Sequence, residues 1–395
     1  MNKRTRNTRK FLFITSFTLP ETAGSGIHAF RFARYINRKG DYAEILTFNR
    51  NLRLRSSEKI DEVRVIRIPY FNRNLFLKLC SLPFVVFYYF KYILRNNIVF
   101  TYGGKIFGFE LIIILSYLLR KKNIFRSLML DVDDLQCLVT NRNLLVKFIY
   151  HRLFEKVNIY FSINKTFSER FLKIYPSGKK IFEMPQGVDT TVFFPITAEE
   201  KVELRQKLFL SQNKFIILSV GFLIHRKGFE EIFSELAKLT FDFQYIIAGE
   251  HDVSNDHFLS GYENEMNYLK ETGIKLLGDR ISFAGYQQNL SPYYQTADIF
   301  LLNSGQEGLP NVLLEAMACE LPVVTNSIQG VDGFLTQHRQ NVIVFHNLSE
   351  IHDIIHECFQ RKGETNIMAK NAYDDIRKKY SFDRVYAGLL ETLKD

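Results

Sequence analysis

Residues 303–327, NSGQEGLPNVLLEAMACELPVVTNS, decide the reading of this chain. An apolar run at 299–302 precedes the stretch and another, 321–325, closes it, so the order is strand, loop, helix, strand. Glu307 and Glu315 stand eight positions apart, and a Gly-Leu-Pro-Asn turn between them opens the helix. Pro310 suits the first helical position, where its missing N–H costs nothing. The free N–H groups of that turn, with the helix dipole, favour a phosphate, and Gly308 lets the backbone approach it closely. Glu315 lies one turn beyond Asn311 on the same helix face. Glu307 falls at the carboxyl end of a strand, where ligands collect in open α/β sheets. An ionised carboxylate only accepts hydrogen bonds, so both glutamates suit the hydroxyls of a sugar or ribose. A bare pair of glutamates at this spacing is ordinary surface; the strand, turn and helix around this pair single it out.

Outward from that stretch, short apolar runs alternate with longer helical patterns. One series of expected strands covers 11–17, 43–48, 63–68, 98–102, 127–132, 159–162 and 180–184. A second covers 215–220, 243–248, 281–283, 299–302, 323–325 and 342–345. Such alternation predicts α/β architecture with parallel sheets covered on both faces. Two series predict two doubly wound domains, which 395 residues accommodate. The boundary is expected in 185–195, PQGVDTTVFFP, which mixes Pro, Gly and Asp without periodicity. No internal repeat or low-complexity tract is visible.

The chain is 46% hydrophobic, with 37 Phe, 20 Tyr and no Trp, so a large aromatic core is available. Four Cys without paired spacing argue against a disulfide framework or a zinc site, and a reducing cytoplasm is the simplest compartment. Residues 1–195 hold 33 Lys and Arg against 14 Asp and Glu, whereas residues 196–395 hold 19 against 28. The basic half is drawn to something anionic. No zinc-finger, homeodomain or RNA-binding signature accompanies the charge, so nucleic acid is not expected. Residues 70–97, YFNRNLFLKLCSLPFVVFYYFKYILRNN, mix Arg73, Lys78, Lys91 and Arg95 with large apolar side chains and suit the headgroup layer of an anionic membrane. Buried helices of a Phe-rich domain are the alternative. Lys78, Pro83 and Lys91 interrupt the stretch as a span, and the run at 111–119 falls short of the roughly 20 residues a span needs. The amino-terminal MNKRTRNTRK followed by FLFITSF reads as a basic tail feeding the first buried strand, because no small-residue cleavage site closes the apolar run.

The stretch EGLPNVLLEAMA, residues 307–318, resembles the E-x7-E region of retaining GT-B glycosyltransferases of family 4. The resemblance covers nearly the whole chain and is stronger in the carboxyl half. It implies two Rossmann-like domains facing a cleft: residues 1–190 on the acceptor side, 191–375 binding the nucleotide-sugar, and 376–395 crossing back to the first domain, with the last helices beginning near Asn366. It implies that Glu307 contacts the donor sugar, that Glu315 holds the ribose hydroxyls, and that the backbone of Gly308 and Leu309, with Asn311, meets the pyrophosphate. The turn AGSG at 23–26 matches the family's Gly-rich loop, which carries a donor-side role to Gly24 and Gly26; a plain strand–helix turn is the alternative. SVGFLIHRKGF, residues 219–229, resembles the G-R-x-x-x-x-K-G motif, with Lys227 neutralising the leaving group. Phe222 stands where Arg is usual, and Arg226 either compensates or is merely solvated. Gly249 and Glu250 match the second-strand terminus beside the nucleotide, and SFAGY, ending at Tyr286, the turn that meets the base. Glu320 stands where glycine is usual.

Asp131 and Asp133 form a D-x-D, a metal-binding pattern in GT-A enzymes, but its surroundings are GT-B-like, so no metal is expected. The family's histidine near this strand end is missing, which leaves Asp133 as the acceptor-side candidate, with helix capping by Asp133 and Asp134 as the alternative. The implied activity is transfer of a hexose-type sugar, with retention, from a nucleotide diphosphate-sugar to a lipid-linked, surface-polysaccharide or lipopolysaccharide precursor. The implied location is peripheral, on the inner face of the cytoplasmic membrane, and no cofactor is implied. A GT-B nucleotide-sugar epimerase and a non-catalytic binding protein are the rival readings.

Overall fold

The computed structural model describes residues 8–21, 24–50, 54–71, 74–103, 105–140, 143–176, 180–249, 261–305 and 307–394. They form two compact units, residues 1–185 with 386–395 and residues 186–385, against the expected boundaries after 190 and 375.

The first unit runs β1 (Lys10–Thr15), α1 (Gly24–Arg38), β2 (Tyr42–Asn49), β3 (Ser57–Ile60), β4 (Val63–Pro69), α2 (Leu75–Cys80), α3 (Leu82–Arg95), β5 (Ile98–Tyr102), α4 (Phe109–Leu118), β6 (Lys122–Arg126), α5 (Leu135–Thr140), α6 (Leu144–Phe154), β7 (Ile159–Ser162), α7 (Lys165–Ile174) and β8 (Lys180–Glu183). Its sheet has the order β3-β4-β2-β1-β5-β6-β7-β8. All pairings are parallel except the β3–β4 edge hairpin. Strand order reverses between β1 and β5. Every residue of β5 is buried, as is all of β1 beyond Lys10, because helices cover both faces of a parallel sheet and leave no polar side. The strand expected at 127–132 is corrected: β6 lies at Lys122–Arg126 and 127–132 is the loop after it. β6 reads KNIFR, and its Asn123 and Arg126 are buried, so polar letters hid a core strand. Tyr386 seals this unit. Its ring packs on Phe11, Phe32 and Tyr35, and its hydroxyl donates to Asp41, which also pairs with Arg9.

The second unit runs α8 (Ala198–Lys207), β9 (Phe215–Val220), α9 (Phe229–Leu236), β10 (Phe243–Ala248), α10 (Glu263–Leu277), β11 (Ile281–Gly285), α11 (Ser291–Thr296), β12 (Ile299–Leu302), α12 (Asn311–Ala318), β13 (Val323–Asn326), β14 (Ile343–Phe345), α13 (Glu350–Gln360) and α14 (Lys362–Asp375). The final helix, α15 (Phe382–Thr392), begins in this unit and ends in the first. The sheet order β11-β10-β9-β12-β13-β14 is parallel throughout. It reverses between β9 and β12, which places the loops after those two strands side by side. A cluster of buried Phe, Ile and Leu from β9, β10, α9, α10 and α13 fills the core.

Candidate functional site

Three strands of the second sheet run out at glycine: Gly221 and Gly249 directly follow β9 and β10, and Gly285 is the last residue of β11. Gly221, Gly249 and Gly285 have φ of +154°, +153° and +69°. Gly221 donates its N–H to Ala248, and Gly249 donates to Gly285. A Cβ on Gly249 would stand 2.6 Å from the Gly221 carbonyl carbon, so the β9 and β10 ends approach closely only because that side chain is missing. The result is an edge of bare backbone at the carboxyl ends of the strands. Tyr286 follows directly and is exposed.

Beside this edge, the loop after β9 turns through a short 3-10 stretch, His225–Lys227, into Gly228 at φ +58°. A Cβ at Gly228 would stand 2.7 Å from Asn303 Cγ, in the loop after β12. Gly228 therefore lets the two loops of the switch point meet. Asn303 donates to the Gly228 carbonyl at 3.2 Å, and Gly305 donates to the Arg226 carbonyl at 2.9 Å. Asn326 clamps Ser304 from both sides, accepting its N–H and donating to its carbonyl, each at 3.0 Å.

This scaffold brings Lys227, Arg226 and Glu307 together. The Lys227 ammonium donates to Glu307 Oε1. Arg226 Nη1 lies 3.6 Å from the same oxygen, and the Ser304 hydroxyl donates to it at 2.8 Å. Lys227 and Glu307 side chains are 13% and 14% exposed, so the pair is screened from bulk water yet reachable. Burial pushes the Glu307 carboxyl up; the Lys227 charge, its hydrogen bond, Arg226 and Ser304 outweigh burial and hold it below the usual carboxylate range. Phe222 packs against the hydrophobic core.

Gly308, Leu309 and Pro310 are buried, and α12 starts at Asn311 with Pro310 as its N-cap residue. Gln186 donates to the Leu309 carbonyl at 3.0 Å and to Asn311 Oδ1, fixing the first turn. One turn on, Glu315 is 3% exposed and accepts the Tyr294 hydroxyl at 3.0 Å. Glu250 lies outside the described residues.

The remaining candidates belong to the first unit. Gly24 is the exposed first residue of α1. A Cβ on Gly26 would stand 2.7 Å from the Phe17 carbonyl carbon, so that glycine is where α1 meets the loop after β1. Asp133 is buried, and its Oδ1 accepts the N–H groups of Leu128 and Met129 at 2.9 and 2.8 Å. Asp134 accepts from the Cys137 N–H as the cap of α5, and Asp131 pairs with Arg170. Asp131 and Asp133 thus serve different partners.

Sequence reasoning missed Gln186, Ser304, Asn326 and Tyr294, whose roles depend on partners distant in the chain. It also missed a buried group at the first unit's own switch point. Arg126 ends β6 and approaches His28 Nδ1 of α1 at 3.3 Å, while its guanidinium lies 4.6 Å from the Tyr102 ring centre. Burial pushes the Tyr102 hydroxyl up to about 12, against the pull of Arg126.

Two doubly wound parallel sheets in one chain, the second with a Lys–Glu pair at its switch point, define the GT-B architecture. Residues 200–375 match the family model for glycosyl transferases group 1. Sucrose-phosphate synthase from Thermosynechococcus elongatus superposes with a TM-score of 0.75 over 98% of each chain at 17% identity. HepE from Anabaena, solved in complex with UDP and glucose, superposes with a TM-score of 0.73 over 98% of this chain and 99% of its own at 18% identity. In sequence, 213 residues are 28% identical to the Escherichia coli UDP-Gal:alpha-D-GlcNAc-diphosphoundecaprenol alpha-1,3-galactosyltransferase, covering 52% of this chain and 51% of that protein. The chain spans about half the length of the curated relatives it matches.

Proposed function

We propose that this chain is a retaining glycosyltransferase that moves a hexose-type sugar from a nucleotide diphosphate-sugar to a lipid-linked or surface-polysaccharide precursor at the inner face of the cytoplasmic membrane. The observation that carries the reading is the Lys227–Glu307 pair, joined by Arg226, at the switch point of the second sheet. Open α/β sheets bind ligands at that point. Lys227, Arg226 and the N–H groups opening α12 supply positive charge for a departing diphosphate, so the reading requires no metal ion. Glu307 orients the sugar, and Glu315, set by Tyr294, accepts the ribose hydroxyls. The bare edge at Gly249 and the exposed Tyr286 take the base. The UDP and glucose in the HepE structure support this choice of donor.

Acceptor recognition falls to the first unit, with Asp133 and the buried Arg126–His28 group around its own switch point, whereas Gly24 and Gly26 keep their donor-side role. The E. coli relative acts on a sugar carried by diphosphoundecaprenol, which supports a lipid-linked acceptor here. Residues 70–97 supply the membrane contact. Leu75, Phe76 and Phe87 are 74%, 71% and 57% exposed in helices that also carry Lys78, Lys91 and Arg95. Leu75–Arg95 is long and apolar enough to cross a membrane by length and composition, but those cations suit a surface position better.

The test gives purified protein radiolabelled UDP-, GDP- and ADP-sugars with a membrane extract, and follows label into lipid or polymer. Transfer from one donor class is the expected result. Epimerised free donor, or tight donor binding without turnover, overturns the reading.

A further inference from the structure

Helix α6 carries its apolar side outward. Leu144, Leu145, Phe148 and Ile149 are 85%, 68%, 58% and 52% exposed, whereas Leu153 and Phe154 at its far end are buried. A helix facing water shows polar residues there, and a contiguous patch of large apolar side chains marks a contact surface. This patch is continuous with the helices of residues 70–97, because α4 packs against both α3 and α6. Tyr117 and Leu118 of α4 are themselves 54% and 66% exposed.

Charge indicates what covers the surface. Helices α2, α3 and α6 carry five Lys and Arg and no Asp or Glu. Several cations lie over aromatic rings: Lys91 is 5.4 Å from the Phe87 ring centre, Arg152 5.6 Å from Phe148, and Lys156 4.5 Å from Tyr117. Apolar side chains edged by cations fit the boundary between acyl chains and anionic headgroups. A dry protein interface would desolvate those cations at a cost, whereas headgroups leave them hydrated and neutralised.

We infer that α6 is a second membrane-inserting element, acting with α2 and α3 on an anionic bilayer surface. The inference rests on the membrane contact proposed above and adds an orientation. α6 runs into β7 and α3 into β5, so both helices end at the amino ends of the strands and begin toward the carboxyl ends. Leu144 and Leu145, like α2, therefore stand toward the carboxyl rim of the first sheet. The switch point between β1 and β5 opens on that same rim. Inserted there, the rim faces the lipid surface, where a lipid-linked acceptor presents its headgroup.

The native chain has no Trp, so one introduced indole reports alone. Phe148→Trp, Phe87→Trp and Phe209→Trp are made separately in the full chain; Phe209, 94% exposed in the second unit, is the control. Each is titrated with phosphatidylglycerol–phosphatidylethanolamine vesicles, with and without acyl-brominated lipid. The Phe148→Trp and Phe87→Trp variants shift to the blue and are quenched by bromine, and the Phe209→Trp variant does neither. Adding Phe148→Ser to the Phe87→Trp variant weakens vesicle binding about tenfold, the order expected for losing one inserted ring. A response from Phe87→Trp but not Phe148→Trp overturns the role of α6 and leaves the membrane contact standing; silence from both overturns both. A blue shift of the Phe148→Trp variant on raising protein concentration without vesicles assigns the face to a second copy and overturns the inference.

Discussion

Lys227 and Glu307 are 80 residues apart in the chain and hydrogen-bonded in the fold. Each belongs to a loop that follows one of the two strands flanking the reversal of strand order, β9 and β12. The carboxylate neutralises the lysine, and Arg226 stands behind it at 3.6 Å. On the proposed reading, a donor diphosphate arriving at this point would compete with Glu307 for both cations.

That competition gives Glu307→Gln a two-part signature. Transfer falls by about a hundredfold or more, the usual scale for losing one group aimed at the reacting centre. Binding of UDP alone is retained or tightened, because Lys227 and Arg226 lose their competing carboxylate. Radiolabel transfer and calorimetry with UDP read the two parts separately. Transfer at full rate removes Glu307 from the reaction, and loss of UDP binding together with transfer reduces it to a support for Lys227.

Gly249→Ala tests the bare backbone edge. The added Cβ would stand 2.6 Å from the Gly221 carbonyl carbon, and that contact is backbone, which has no rotamer to move away. Its φ of +153° adds strain for any L side chain. The β9 and β10 ends are expected to separate, with donor affinity lost and stability lowered by about 2 kcal/mol or more. Urea unfolding and donor titration measure the two effects; a variant with native donor affinity shows that the edge does not touch the nucleotide.

What the sequence made legible follows from how local each signal was. The strand, turn and helix of β12 and α12 were readable because apolar periodicity, Gly308 and Pro310 fall within a dozen residues of one another. β6 was not, because its Asn123 and Arg126 read as surface residues, and Arg126 is accommodated in the core beside a distant residue, His28, 98 positions away. Lys227 was legible as a motif residue, whereas Gln186 lay in a segment read as linker and reaches Leu309 across 123 residues. The Gly-rich turn at 23–26 was visible, but the packing of Gly26 on the Phe17 carbonyl was not.

Asp298 sets an acid limit on the second unit. It joins α8 to the sheet, pairing with Lys201 at 2.9 Å and Arg205 at 2.8 Å and accepting the Ile216 N–H at 2.8 Å. Burial pushes its carboxyl up, and the two cations with the Ile216 N–H outweigh burial, so it titrates below the ordinary 3.8. A depressed carboxyl contributes stability that is full above 3.8 and lost as pH falls through the lower folded value. Asp298→Asn is expected to cost about 2–4 kcal/mol at pH 7, since it leaves two partly buried cations without their carboxylate. That deficit shrinks as pH falls below 3.8. Urea unfolding of both proteins at pH 7 and at pH 3 checks it; an equal deficit at both means that Asp298 stays protonated or unpaired.

Glu320 gives a gain rather than a loss. It follows the C-cap Cys319 of α12 with φ +55°. Leu321 donates to Ala316 and Glu320 to Met317, each at 3.2 Å, the paired hydrogen bonds of a left-handed helix end. A side chain at that position costs about 1 kcal/mol that glycine avoids. Glu320→Gly should therefore raise the urea midpoint by the equivalent of about 0.5–1 kcal/mol, with an unchanged slope. Glu320→Asn should gain less, and Glu320→Ala nothing, because alanine keeps the Cβ that causes the strain. Transfer should be unaffected, since Glu320 leads into the amino end of β13, whereas Lys227 and Glu307 stand at the carboxyl ends of β9 and β12. If glycine brings no gain, the Glu320 side chain makes a compensating contact, and the helix end is not the strained position its dihedral angle indicates.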